Sequence, residues 1–569
     1  MSCVDLDCLF VHAPKADAHY LPIGDFFNIT YMPMGLMALA NELRRRQLRT
    51  EVVHLGVEWL VEPTFNVVRA FDGQRIRAIG LPLYWHYQSF DVIEVARALK
   101  VAHPEAFVFL GGLTAGYFAR ELLERYAFLD GVVRGHAEGS CPRLIEELGA
   151  AEPDLGLVHG LVYRSPDGRV VDTTGTTRAH AATPVPPLDD LVFGDLTALR
   201  HADVYASQFG FPLAYGREWS RTDNRASLSM GRAFYPLFIG RGCAWTCTFC
   251  GGNRDTLRQV NSTSKLQWRS PAAVVEDIRR AMDFGYRTMA VCFDPTPDKD
   301  TYWLDLFERI ETARLGCDLY FECWGLPTER FVQRFRRTFP SPESYLAISP
   351  DAGDEAVRKV NKQPFYTDRA LFQSLDVLRQ NDVSADVFYT IALPTETVHT
   401  ARATQRQIDH SAATYPNARR LMTWSVQLEP GSPQFERPAD FGMVTDRSCF
   451  DDFYRVHGGL GRGTGDTYSS LGFKIAGYFG DERDQGGIAE FERHLQHLKC
   501  MEFCFLGKDP RFRNDPARGR AHCFDRQTAL AERRGIAPPT RPIGDGFDYT
   551  DALADEQARR GAQPRFSWV

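Results

Sequence analysis

The chain has 569 residues, of which 44% are hydrophobic and 24% charged, the composition of an ordinary globular protein of about three domains. A net charge of −7 and a pI near 6.1 offer no overall basic field for nucleic acid. Acidic residues stand in the first eight positions where a leader peptide would carry positive charge, and no apolar run approaches the length that spans a bilayer, so a cytoplasmic protein is expected.

In chain order the pattern predicts a strand at Leu9–Ala13, a helix over Met34–Arg46, strands at Glu51–Leu55 and Ile76–Leu81, a helix over Val92–Ala102, a strand at Ala106–Leu110, a helix over Tyr117–Tyr126 and a short strand at Gly131–Val133. Such alternation implies a doubly wound parallel sheet whose ligand site lies at the carboxyl ends of the strands. Two glycine-bearing loops fall where that rule wants them: Gly111-Gly112 with Thr114, and Gly135-His-Ala-Glu138-Gly139. Missing Cβ atoms there let a bulky ligand come close to the backbone. The loop after the third strand, Pro82-Leu-Tyr84-Trp85-His86, is rich in rings.

Residues 150–234 contain a hairpin pattern, Leu161 to Val170 about an Asp-Gly turn, and then a polar, proline-bearing stretch that reads as a linker. From Tyr235 strands and helices alternate again: strands at Tyr235–Gly240, Thr288–Phe293, Asp318–Trp324, Tyr345–Ser349, Ala385–Leu393 and Leu421–Gln427 with helices between them. Six such units suggest a partial (β/α)6 barrel over 235–435, followed by a helical or irregular extension over 436–569. The first 149 residues form the other α/β domain.

The strongest chemical signal is Cys243-x3-Cys247-x2-Cys250, with Phe249 before the third cysteine. Three thiolates at this spacing can each bond a different iron of one 4Fe-4S cube and leave the fourth iron open to a small molecule. A zinc knuckle is disfavoured, because it wants a fourth ligand close by, and from Gly251 to Lys299 only Cys292 qualifies, inside an apolar run. Cys500, Cys504 and Cys523 form a looser set that reads more simply as free thiols.

The triad resembles that of the radical S-adenosylmethionine superfamily. Together with Tyr31-Met-Pro-Met-Gly-Leu36, Gly111-Gly-Leu-Thr-Ala115 and Gly135-His-Ala-Glu138 upstream, the chain resembles the cobalamin-dependent class of those enzymes over roughly residues 5–435. The resemblance implies a 4Fe-4S cluster, S-adenosylmethionine and cobalamin as cofactors, and an external electron donor of the flavodoxin or ferredoxin type. It implies C-methylation of a small-molecule substrate, often an intermediate of an antibiotic or other specialised metabolite, or alternatively a radical ring rearrangement or cyclisation without methyl transfer.

Carried over residue by residue, it places Asp294, Ser349, Asp351 and Glu396 at S-adenosylmethionine, although each acid can equally cap the helix that follows. The loop from Pro82 through Tyr84, Trp85 and His86 would cover the lower face of the corrin. Asp17-Ala-His19 has Pro22 where cobalt-ligating loops carry glycine, which argues against His19 as a ligand. Tyr320 and Glu322, with Trp324, Tyr389 and Trp424, end barrel strands; a Tyr or Glu there is a candidate general base, and an aromatic or planar substrate would suit such walls.

Overall fold

The computed structural model describes residues 4–457 apart from 15–18, 21–23, 26–31, 63, 209–233, 263–264, 296–299, 392 and 446, together with 473–475. Tyr31, the side chain of His19, most of the C-terminal extension and Cys500, Cys504 and Cys523 lie outside the described residues or side chains.

In the first domain, strands β1 (Leu6–His12), β2 (Thr50–His54), β3 (Ile76–Pro82), β4 (Phe107–Gly111) and β5 (Gly131–Val133) run parallel in the order β2-β1-β3-β4-β5. Cys8, Leu9, Phe10 and Val11 are all buried along β1, because helices cover both faces of the sheet and leave no strand position facing water. Those helices include α1 (Met34–Arg45), α2 (Ser89–Ala102), α3 (Leu113–Tyr117) and α4 (Ala137–Leu148). The predicted hairpin forms as β6 (Leu161–Arg164) and β7 (Val170–Asp172), and it pairs antiparallel onto β5. This part of the linker region therefore completes the first sheet.

The second sheet is a run of six parallel strands in sequence order: β8 (Phe234–Pro236), β9 (Thr288–Phe293), β10 (Asp318–Cys323), β11 (Tyr345–Asp351), β12 (Ala385–Ile391) and β13 (Ala418–Ser425). Helix α5 (Arg254–Asn261) follows the cysteine loop. Behind the strands lie α6 (Pro271–Asp283), α7 (Thr301–Thr312), α8 (Glu329–Thr338), α9 (Glu355–Asn361), α10 (Asp368–Gln380) and α11 (Val398–Thr414). Trp303 of α7 is fully buried among Phe307, Phe321 and Phe331, so an aromatic core locks the helices to β10.

After the sixth strand the chain returns to the first domain. Phe450 and Phe453 of α12 (Phe450–His457) pack on Phe118, and Tyr454 donates to Glu94 at 2.8 Å. The region beyond residue 435 thus begins as a brace on the first domain.

Candidate active site between the two domains

The cysteine loop follows a short strand, Gly240–Arg241, paired with Gln267–Trp268. A Cβ on Gly242 (φ +98°) would lie 2.4 Å from the Lys265 carbonyl oxygen, so the chain turns into the triad through a position open only to glycine. Several hydrogen bonds then hold the loop. The Trp245 N–H points at the Cys243 sulfur at 3.4 Å and the Gln363 N–H at the Cys247 sulfur at 3.3 Å. Thr248 N–H donates to the Asn361 carbonyl at 3.1 Å, and the Asn361 amide donates to Pro394 O at 2.7 Å beyond β12. Asn253 caps α5 and donates to both Cys250 O (2.6 Å) and Gly431 O (3.1 Å).

These contacts suit the cube. Burial raises all three thiol pKa values; Cys247 adds to the rise at Cys243, and Cys247 and Cys243 add to it at Cys250, so the sulfurs are neighbours. Among the described residues no three His, Cys, Asp or Glu side chains converge as they would round one ion. Three thiols that lie near one another without converging on one point, with backbone N–H groups aimed at the Cys243 and Cys247 sulfurs, fit a cluster that would bond each to a different iron better than a mononuclear zinc site.

The barrel strands deliver the other candidates at their carboxyl ends. Asp351 ends β11 past a register shift, with φ +62°; its carboxylate pairs with Lys362 Nζ at 3.1 Å and accepts from Thr390 at 3.0 Å. Ser349 is half-buried within the same irregularity. Asp294 is buried after β9, and its carbonyl accepts the Trp303 indole N–H at 3.0 Å. Glu396 is buried, taking the Leu393 N–H at 3.3 Å. None of these three acids is a cap, because the caps at the following helices are Asp300, Asp354 and Thr397. Thr395 takes φ +68°, a region where a glycine would sit more easily.

Glu322 and Tyr320 share the inner face of β10, as period-two alternation requires, and the Tyr320 hydroxyl reaches Glu322 Oε2 at 3.4 Å. The Tyr320 ring itself is buried beside Tyr345 and Phe234, in the floor of the barrel. Burial raises the Glu322 pKa, against hydrogen bonds from Cys292 and Tyr320 and the charge of Lys362. Cys292 is exposed, and the Trp324 indole N–H points to its sulfur at 3.3 Å. Burial and then the neighbouring Glu322 raise its pKa. Trp324 stacks on Phe293 with centroids 4.7 Å apart. Tyr389, by contrast, lies on the outer face with Ser411 and Arg358 and does not line the interior. The Trp424 side chain lies outside the described ones.

The first domain turns its own carboxyl-end loops to this place. Tyr84 and Trp85 are 48% and 40% exposed, ring against ring, while Thr114 Oγ1 donates to Tyr84 O at 2.8 Å. Burial pushes the Tyr84 hydroxyl up to about 12, with Cys250 and then Glu429 adding to it. The loop that Thr114 ties to Tyr84 adjoins the triad loop, since a Cβ on Gly252 would stand 4.0 Å from Leu113 Cδ2. Gly112 takes φ +97°, and a Cβ there would meet Leu83 O at 2.8 Å, while Gly111 has only Val133 O as near as 3.8 Å. Glu138 Oε1 pairs with Arg241 at 3.0 Å, and Oε2 is buried without a partner. An orphaned acceptor, an open Gly111 and exposed rings on the carboxyl-end loops fit a cobalamin edge, which carries amide donors.

Two expectations change. His86 is only 3% exposed and packs against Phe453 and His457; burial and then Arg447 lower its pKa to about 3. Its position takes it out of the corrin approach expected of it, leaving Tyr84 and Trp85 as the exposed rings of that loop; Pro82 ends β3. Gly139 makes its close approach to the chain's own Pro184 carbonyl, 2.6 Å from where a Cβ would stand, and not to the ligand side. Phe249 packs partly buried against the core.

Sequence reading missed Glu429, whose Oε2 accepts from Gly251 N–H at 2.6 Å and whose pKa burial raises to about 7. It also missed Asn361 and Arg241. The one sequence signal was the loop Glu429-Pro-Gly-Ser432 directly after the sixth strand, where barrel sites collect.

Residues 237–408 match the Radical SAM superfamily and residues 27–145 the B12 binding domain. Hopanoid C-3 methylase of Methylococcus capsulatus is 27% identical over 337 residues, 58% of this chain and 56% of that protein. Anaerobic magnesium-protoporphyrin IX monomethyl ester cyclase of Rubrivivax gelatinosus is 23% identical over 399 residues, 68% of this chain and 60% of that protein. The chain therefore spans less than two thirds of either relative. Among solved structures, the radical S-adenosylmethionine methyltransferase TsrM of Kitasatospora setae, with cobalamin and a [4Fe-4S] cluster bound, superposes with a TM-score of 0.57 at 14% identity, covering 85% of this chain and 89% of that one. The cobalamin-dependent enzyme OxsB with aqua-cobalamin gives 0.54 at 11% identity, covering 98% and 80%. At those identities the likeness is one of fold. Among the described residues no helix is long and apolar enough to cross a membrane.

Proposed function

We propose, from the premise that this chain belongs to the cobalamin-dependent radical S-adenosylmethionine enzymes and takes a 4Fe-4S cluster, S-adenosylmethionine and cobalamin, that it methylates a carbon of a small-molecule biosynthetic intermediate. The observation that carries the proposal is the abutment of the two sets of carboxyl-end loops: a Cβ on Gly252, beside the triad, would stand 4.0 Å from Leu113, just after β4, and one on Gly431 would stand 3.2 Å from Tyr117. Methyl transfer needs reacting atoms about 3–3.5 Å apart, which requires the two cofactor faces to share one cavity.

When bound, the cluster with S-adenosylmethionine supplies radical chemistry, and cobalamin supplies a methyl carrier. Cys243, Cys247 and Cys250 hold the cluster, with the Trp245 and Gln363 N–H groups directed at the Cys243 and Cys247 sulfurs. Asp294, Ser349, Asp351 and Glu396 are the proposed contacts of S-adenosylmethionine. Tyr84, Trp85, Gly111, Gly112, Thr114, Gly135 and the free oxygen of Glu138 are those of cobalamin. Glu322 Oε2, oriented by the Tyr320 hydroxyl, is placed to accept a proton from a substrate in the barrel mouth. The stacked pair Trp324 and Phe293 offers a flat apolar wall, which favours a planar or aromatic substrate. An electron donor of the flavodoxin or ferredoxin type and a reducing, cytoplasmic setting complete the reading.

A ring-forming reaction without methyl transfer is the second reading, favoured by the cyclase among the relatives. Anaerobically reconstituted protein, supplied with methyl-labelled S-adenosylmethionine and a reductant, separates the two by mass spectrometry. The first reading expects labelled product and S-adenosylhomocysteine; the second expects neither.

A further inference from the structure

The loop Arg134–Glu138 of the first domain grips the barrel chain on both sides of the cysteine triad. Before the triad, Arg241 Nη1 reaches Glu138 Oε1 at 3.0 Å, with the two side chains only 11% and 16% exposed. Arg241 Nε also donates to Gln267 at 2.6 Å, and a Cβ on Gly240 would stand 2.4 Å from Gln267 O, so the arginine springs from a tightly pressed strand pair. After the triad, Arg134 Nη2 donates to Gln259 O at 3.0 Å, and Gly135 lies so close to α5 that a Cβ would be 3.2 Å from the Asn261 Cα. Gly116 makes a parallel approach to Val260.

Plain adhesion would be served as well by apolar side chains, because a largely desolvated ion pair gains little net stability. A planar guanidinium held by Nε on Gln267 and by Nη1 on Glu138 adds direction. We propose that Arg241 and Glu138 are a positioning pair that sets the separation between the cobalamin site and the cluster. This rests on the reading above only in needing both cofactors bound; it does not depend on the reaction being methylation.

The test is the distance distribution between Co(II) and the reduced cluster, measured by pulsed electron paramagnetic resonance on the full chain loaded with both cofactors, without substrate. In Arg241→Lys and Arg241→Met the distribution is expected to shift or widen by about 1 Å or more, a displacement large enough to cost on the order of 10²-fold in a positioned reaction. Iron, sulfide and cobalamin contents should stay at wild-type values. Arg241→Lys keeps the charge and serves where Arg241→Met does not fold. A wild-type distribution in the arginine variants overturns the proposal. So does a Glu138→Gln protein that loses cobalamin while Arg241→Lys keeps the wild-type distribution, since Glu138 would then act on the cofactor alone.

Discussion

The backbone N–H of Gly251, next to the third cysteine, donates to Glu429 Oε2 at 2.6 Å, joining residues 178 positions apart. Burial holds that carboxyl near pH 7 and the hydrogen bond opposes the rise. The contact fixes one end of the cluster loop to the turn after the sixth barrel strand. Glu429→Ala removes the acceptor from a buried N–H, at a cost of about 1–3 kcal/mol. The expected result is faster loss of iron to a chelator with cobalamin retained, and Glu429→Gln, which keeps a carbonyl oxygen, should fall between. Iron release at the wild-type rate in Glu429→Ala would remove Glu429 from the account.

Cys243→Ala, Cys247→Ala and Cys250→Ala should each abolish the 4Fe-4S absorption and all turnover, because no spare cysteine among the described residues joins the triad. Cobalamin should still bind, since its loops stand on a separate sheet. Iron and sulfide analysis checks the first statement, and the optical spectrum of the corrin checks the second. A normal iron and sulfide count in any variant contradicts the assignment.

Co(II) cobalamin in this protein should show no nitrogen superhyperfine splitting from a protein ligand. His86 is turned into the contact with Phe453 and His457, and Pro22 disfavours the loop that would present His19. Electron paramagnetic resonance reads the lower face directly. A nitrogen splitting that disappears in His19→Ala would refute this.

His86 also makes a pH prediction. Burial, then Arg447, lowers its folded pKa from 6.5 to about 3, so the folded state holds it neutral. Its contribution to stability is full above pH 6.5 and is lost as pH falls from there toward 3, at up to about 1.4 kcal/mol per pH unit. Denaturant unfolding between pH 7 and 4 should therefore show a shallower decline for His86→Gln than for the wild type. Parallel curves would show that the depressed pKa carries no linkage.

Local chemistry was legible in the sequence and long-range chemistry was not. The strands Gly131–Val133 and Thr288–Phe293 form with the predicted bounds, because an unbroken apolar run between turn residues leaves little choice. The triad was legible because its three ligands lie within eight residues. Glu429, Asn361 and Arg241 act through partners 103 to 178 residues away, and no spacing announces such pairs. His86 read like its neighbours Tyr84 and Trp85, since the sequence does not show that α12 returns to cover one ring of the three. Tyr320 was the tyrosine singled out with Glu322, and strand phase turns it inward while it turns Tyr389 outward.

The most direct test of the central proposal follows the methyl group. Protein reconstituted anaerobically with cluster and cobalamin is incubated with trideuteromethyl S-adenosylmethionine, a one-electron donor and a pool of candidate planar metabolites, and the mixture is analysed by mass spectrometry. The account predicts S-adenosylhomocysteine together with a small molecule bearing the trideuteromethyl group on carbon, both lost in Cys250→Ala. Turnover that alters a substrate with no label entering it and no S-adenosylhomocysteine formed would contradict the methyltransferase reading and leave the ring-forming one.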